Sequence, residues 1–439
     1  MDLLNGDIKK IFFKYLAAAF GSTFTVSVYG IVDSMCVGRY HGPAGSASLS
    51  VAIVIWCTYC SLGLLTGIGG SIHFSTWMGH GDKNKANQYF TTAIGIAAFI
   101  AVVFTGAFGF FTEEILILLG AEDPDVLYCA VEYFKPMKYA FFIFMVNEML
   151  AAFLRNDGDP LLTTAAVVTG GAFNIFGDFY FVFGLDMGAR GAGFATFGGG
   201  IITFTIMMTH FFKKKNTYRL VKVTEPFKKI ADVVKTGFAP CFLDLASAIL
   251  TTIFNIRVSL LLGTAAFAVL GVVSSINSFA LCCAYAVGQA AQPIISLNYG
   301  AGKWERIGPT MKYAISSTIV IGAIFYAFIF FEPNLLVRLF MTPTEEVLEI
   351  APAILRTYCS SYIIMNVNIF ATYYFQSIMK DGISFIVSVS RGLVLSGILA
   401  LVLPVIFGPS SIWLAVPIAD VIVLIYVVIM IKKTKKLAA

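Results

Sequence analysis

Polar and apolar positions fall in blocks along this chain: long apolar runs, each separated from the next by a short polar segment. A helix needs ~20 apolar residues to cross the ~30 Å hydrocarbon core of a bilayer. Runs of that kind predict helices over 11–37, 47–72, 87–111, 127–153, 160–183 and 190–212, then over 233–261, 266–295, 310–331, 350–376, 382–407 and 411–431. The one long polar stretch, Lys213 to Lys229, divides six spans from six.

The two sets repeat. Gly42-Pro-Ala-Gly follows the first span and Gly263-Thr-Ala-Ala the seventh. Trp77-Met-Gly-His-Gly-Asp-Lys ends the second and Tyr299-Gly-Ala-Gly-Lys the eighth; Arg155-Asn-Asp-Gly158 ends the fourth and Met379-Lys-Asp-Gly382 the tenth. The first two pairs keep one and the same interval, and the third, Gly158 to Gly382, is only slightly longer. Six is even, so the halves run parallel, related by an axis along the membrane normal. The expectation is an all-α membrane protein of 12 transmembrane helices in two six-helix bundles with a pseudo-two-fold axis. Its parts are an N-terminal lobe over 1–212, a cytoplasmic linker over 213–232 and a C-terminal lobe over 233–439.

Composition excludes a soluble domain. Of 439 residues, 58% are hydrophobic and 13% charged, against about a quarter charged in soluble proteins. The first apolar run continues to full span length without a small-residue cleavage site, so it is a first helix and not a removed signal. With the N-terminus inside, 23 of the 30 Lys and Arg fall in inner segments, while Glu113-Glu114 and Glu345-Glu346 lie outside. Both termini are therefore expected in the cytoplasm. This bias accounts for the net charge of +5, and no separate basic patch calls for nucleic acid. Cys57 and Cys60 form a CxxC inside a span, which reads as packed thiols. There is no Walker A sequence and no hydrolase or metalloprotease motif. The chain is not expected to be an enzyme, to carry a cofactor or to work with an ATPase subunit.

Ionisable side chains inside a bilayer are costly and mark function. The candidates are Asp33, Glu148, Asp178, Asp244, Arg257, Arg391 and Asp420. Asp33 lies in the outer half of the first span with Tyr29 one turn earlier; Asp178 lies at similar depth in the fifth, with Asn174 at i−4 on the same face. Two carboxylates with amide and hydroxyl oxygens suit a hard cation, and the same pair in low dielectric suits a proton. Glu148 either faces an inner vestibule or pairs with a base. Arg391 and Asp420 are expected to form a structural salt bridge, since buried charges pair.

Tyr29-Gly-Ile-Val-Asp33-Ser-Met-Cys-Val-Gly38-Arg39 resembles the first-helix motif of the multidrug and toxic compound extrusion (MATE) family. Gly288-Gln-Ala-Ala-Gln-Pro, running on to Gly302, is similar to its eighth-helix counterpart, and Phe153-Leu-Arg-Asn-Asp-Gly-Asp-Pro160 to the junction after helix four. The resemblance spans about residues 9 to 432 and implies a V-shaped, ion-coupled exporter. In the branch whose ion site lies in the N-terminal lobe, the matching positions are Asp33, Asn174, Asp178 and Thr196, which by resemblance bind the coupling H⁺ or Na⁺ and bend helix one. Where that branch often carries a helix-one proline, this chain has Ala17-Ala18-Ala19, leaving Gly21 or Gly30 as looser points. The implied protein is a monomer in a bacterial plasma membrane, handling small organic substrates. The other reading, a lipid-linked saccharide flippase of the same superfamily, generally brings fourteen spans and a cationic cavity.

Overall fold

The structure is a computed structural model that describes residues 2–138, 141–341 and 343–438. Every regular element among them is helical, and eight helices are long and apolar enough to cross a membrane. Helix α1 spans Ile8–Gly79, α2 Lys83–Phe110, α3 Thr112–Leu118, α4 Pro124–Phe134 and α5 Phe141–Asn156. Helix α6, Pro160–Gly177, runs on into a π-helical turn, Asp178–Gly184, and α7 spans Gly188–Met208. The second half holds α8 (Pro226–Gly300), α9 (Trp304–Phe331), α10 (Pro333–Phe340), α11 (Glu345–Cys359), α12 (Tyr362–Ser377), α13 (Asp381–Val389), α14 (Leu395–Phe407) and α15 (Ala415–Ala438).

A straight helix of 72 residues would run about 108 Å, several times the hydrocarbon thickness. Helix α1 is broken at Gly42 (φ 65°, ψ −143°), just before Pro43, and α8 at Gly263 (φ 78°, ψ −173°). Positive φ is open to glycine at little cost. At Gly42 the chain doubles back. A Cβ on Gly38 would lie 2.6 Å from the Ser46 hydroxyl, although eight residues of straight helix separate two points by about 12 Å.

The interval from Gly42 to Gly263 is also the interval from left-handed Gly81 to left-handed Gly302. The third landmark is corrected by the backbone. Left-handed Gly158 pairs with left-handed Met379, which restores the same interval, and not with Gly382. Helix α9 repeats the start and the end of α2 at that interval, and α12 repeats those of α5.

Two compact units form. The first takes the segment up to Asp7, Phe13–Cys241 and Ser296–Gly302; the second takes Ile8–Phe12, Phe242–Ile295 and the chain from Lys303 onward. The first and last turns of α8 thus join the unit built mostly from the N-terminal half. Glycines allow it: a Cβ on Gly237 would sit 1.9 Å from the Leu65 carbonyl, and one on Gly300 1.9 Å from that of Thr76. Close backbone approach through small residues is the normal way helices pack in lipid.

Candidate ion and cargo site

The site lies inside the first unit and depends on how closely α6 and α7 approach. Gly170 and Gly199 face each other: a Cβ on either would meet the other's carbonyl oxygen at 2.5–2.6 Å. That contact sets Asn174 and Thr196 side by side, and the Asn174 amide donates to Thr196 Oγ1 at 3.0 Å. Asp178, one turn beyond Asn174, opens the π-helical turn and is fully buried. Asp33, also buried, comes from the first span of α1.

Sequence reasoning missed Tyr133. From the end of α4 its hydroxyl donates to Asp33 Oδ2 at 2.8 Å and stands 3.4 Å from Thr196 Oγ1. A chain of polar contacts therefore runs Asp33–Tyr133–Thr196–Asn174, and Asp178 follows one turn beyond Asn174. Among the described contacts, four buried acceptor oxygens of this group have no donor: Asp33 Oδ1, Asn174 Oδ1 and both carboxylate oxygens of Asp178. Each buried polar atom left without a partner costs roughly 1–3 kcal/mol, more when charged. The arrangement is short of positive charge or protons.

Beside these oxygens a cavity opens in the same unit. Asn174 and Thr196 line it together with Tyr29, Glu148, Trp56 and Phe144. The two residues that complete the acidic cluster thus also wall the cavity. Trp56 and Phe144 pack edge to face at 4.8 Å, and Tyr29 lies against Gly171. Glu148, which the sequence assigns either to a vestibule or to an ion pair, is a cavity residue. The wall combines aromatic faces with a carboxyl, which suits a lipophilic cation.

The second unit compensates its buried acid differently. Arg391, in the π-helical turn Ser390–Val394, donates from Nε to Asp420 Oδ1 at 2.9 Å, and the Asn368 amide donates to the same oxygen at 3.1 Å. Arg391 and Asp420 are thus brought together as an ion pair. The side chain of Asp244 lies outside the described residues.

Long apolar helices around a buried, donor-poor acidic cluster and an aromatic cavity define a multi-pass membrane transporter. The family model described as MatE matches residues 18–180 and again 240–402, one match in each half. The chain belongs to the MATE family of transporters. Its similarity to the multidrug export protein MepA of Staphylococcus saprophyticus is 23% identity over 406 residues, covering 92% of this chain and 88% of the relative. Among solved structures, an outward-facing conformation of a multidrug resistance MATE family transporter superposes with a TM-score of 0.90 at 21% identity, covering 99% of this chain and 98% of the other. A transporter of the wider MOP superfamily from Pyrococcus furiosus, described as having a binding pocket of reversed polarity, superposes at 0.89 and 20% identity, with the same coverage. Likeness at this level concerns the fold; pocket chemistry differs between proteins that share it.

Proposed function

We propose that the chain is a secondary active antiporter, exporting amphiphilic and often cationic organic compounds in exchange for H⁺ or Na⁺. The observation that carries this reading is the group of donor-less oxygens on Asp33, Asn174 and Asp178, buried next to an aromatic cavity. Carboxylate, amide and hydroxyl oxygens are the ligands a hard cation takes, and a proton added to one carboxyl relieves the same shortage. Because Asn174 and Thr196 serve both the cluster and the cavity wall, an ion that draws them in reshapes the cargo site. A ligand moves an equilibrium only by binding its two states unequally, and shared walls give that inequality a physical basis. The multidrug export name of the MepA relative supports a cargo of organic compounds. Arg391–Asp420 keeps the second unit's buried acid neutralised, which favours coupling in the first. The inner excess of Lys and Arg supports cytoplasmic termini in a plasma membrane. A monomer suffices, since ion and cargo sites lie in one chain.

The test is uptake of a lipophilic cationic dye into proteoliposomes under an imposed H⁺ gradient and, separately, an imposed Na⁺ gradient. Wild type concentrates dye under one of them, and Asp178→Asn does not. Gradient-driven uptake undiminished in Asp178→Asn rejects the reading.

A further inference from the structure

The segment between α7 and α8 has no regular structure from Lys213 to Glu225, yet it is held at almost every step. Tyr218 is buried, its ring stacked on Phe90 at 4.5 Å and its hydroxyl donating to the Phe153 carbonyl. The Thr217 N–H donates to Asp157 Oδ2 at 3.1 Å. Three more N–H groups reach the first turns of α2: Arg219 to Asn87 Oδ1 at 2.6 Å, Val221 to Thr91 Oγ1 at 3.1 Å and Thr224 to Gln88 Oε1 at 3.1 Å. At the leading end His210 is fully buried, Nε2 2.7 Å from Asp157 and Nδ1 3.1 Å from Asp159. Both ring nitrogens donate only as an imidazolium, so a cation is clamped between two carboxylates. The segment is a fixed strap.

Its outward side is unusual for water. Lys214, Lys215 and Lys222 have no hydrogen-bond or ion-pair partner among the described contacts, and the Arg219 guanidinium reaches only its neighbour's carbonyl. Set among them, Leu220 is 71% exposed; Phe212 and Phe227, at the strap's two ends, are 89% and 86% exposed. The acid nearby, Glu225, is already paired with Lys228 at 3.4 Å. The strap leaves an apolar span that ends at Phe212 and enters α8 at Pro226, so it lies at the level where a bilayer gives way to water.

We infer that this strap is a binding surface for anionic phospholipid headgroups, its cations meeting phosphates while Leu220, Phe212 and Phe227 enter the acyl boundary. A negatively charged partner explains the free lysines, but an acidic protein or a nucleic acid leaves the interleaved apolar side chains in water. A phase both anionic and apolar satisfies both. Because the strap is pinned before any lipid arrives, its cations bind without the ordering cost that a flexible loop carries.

The experiment places the full chain in nanodiscs of phosphatidylcholine alone or mixed with phosphatidylglycerol, and reads the thermal midpoint and the lipid retained by native mass spectrometry. Wild type should melt higher and retain phosphatidylglycerol in the mixed discs, and the difference should shrink in high salt, which screens exposed charges. The variant Lys214→Gln/Lys215→Gln/Arg219→Gln/Lys222→Gln should lose most of it, Leu220→Ser/Phe227→Ser part of it, and Lys432→Gln/Lys433→Gln, basic positions at the far terminus, almost none. The inference is overturned if the fourfold variant keeps the full difference, or if the terminal lysine variant loses as much. Inorganic phosphate reproducing the stabilisation in phosphatidylcholine discs would likewise overturn it, since the ligand would then be a soluble anion. If the fourfold variant fails to fold, Leu220→Ser/Phe227→Ser decides the matter: that variant keeping the full difference would overturn the inference as well.

Discussion

Buried carboxylates in this protein differ in what offsets their charge. Asp420 has a guanidinium and an amide on one oxygen, Asp33 has a phenol, and Asp178 has no donor among the described contacts. Removing one member of a buried pair strands the other, at roughly 3–5 kcal/mol. Arg391→Met is therefore expected to lower stability by about that amount, with Arg391→Met/Asp420→Leu recovering most of it in thermal melts. Asp178→Asn should be stable, because no partner is lost. Outside the spans, Asp159 is held well below the usual carboxylate range, first by its hydrogen bond with His210 and then by Lys213, with burial working the other way. The native carboxyl thus keeps its charge to lower pH than the unfolded chain, whose value is about 4. Its stabilisation is complete above that value and is lost as pH falls towards the native one. Melting against pH should show Asp159→Asn with a flatter acid limb; an identical limb would contradict the assignment. The acids were legible in the sequence because carboxylates inside apolar spans are few. Tyr133 was not, since a tyrosine near a helix end is ordinary until another helix crosses it.

Helices deliver these groups through contacts that a single sequence conceals. Spacing alone places Asn174 and Asp178 on one helical face, but the meeting of Asn174 with Thr196 depends on Gly170 and Gly199, two of 39 glycines. Gly199→Leu should force α6 and α7 apart, breaking the Asn174–Thr196 hydrogen bond. The expected result is a lower thermal midpoint together with loss of gradient-driven uptake; normal uptake would show that the close approach is dispensable. Helix one carries no proline between Ile8 and His41. Instead, Ser22 donates to the Ala18 carbonyl at 3.1 Å and Thr25 to that of Gly21 at 2.7 Å, and Thr164 of α6 adds a second donor to Ala18 at 2.6 Å. Side-chain hydroxyls sharing helical carbonyls soften and bend a helix, so pliancy is spread over two turns where a proline would concentrate it. Next to the break at Gly42 the helix is held to α7, where the Ala189 N–H donates to His41 Nε2 at 3.0 Å.

For the whole molecule, the doubled architecture was the most readable feature, because glycines that must take positive φ leave their mark at a constant interval. Gly42 with Gly263 and Gly81 with Gly302 keep the same spacing, and the two family matches keep it almost unchanged. Aligning like with like, Gly158 with Gly382, makes the third interval slightly too long, because the backbone aligns Gly158 with Met379. How the chain partitions into compact units was not readable, since the ends of α8 join the first unit through atomic contacts at Gly237 and Gly300. Duplication preserved the helices and not the chemistry: among the described residues, Asp33 and Asp178 gather donor-less oxygens in the first half, and Asp420 is paired with Arg391 in the second. The proposed competition between ion and cargo runs through Asn174 and Thr196. It is read in the apparent Kd of a lipophilic cationic dye for the purified chain, titrated across pH and across Na⁺ concentration. In wild type, dye binding should weaken as one of these ions rises, whereas Asp33→Asn/Asp178→Asn should bind dye with the same Kd throughout. A double variant whose dye affinity still falls with the ion as steeply as wild type would contradict it.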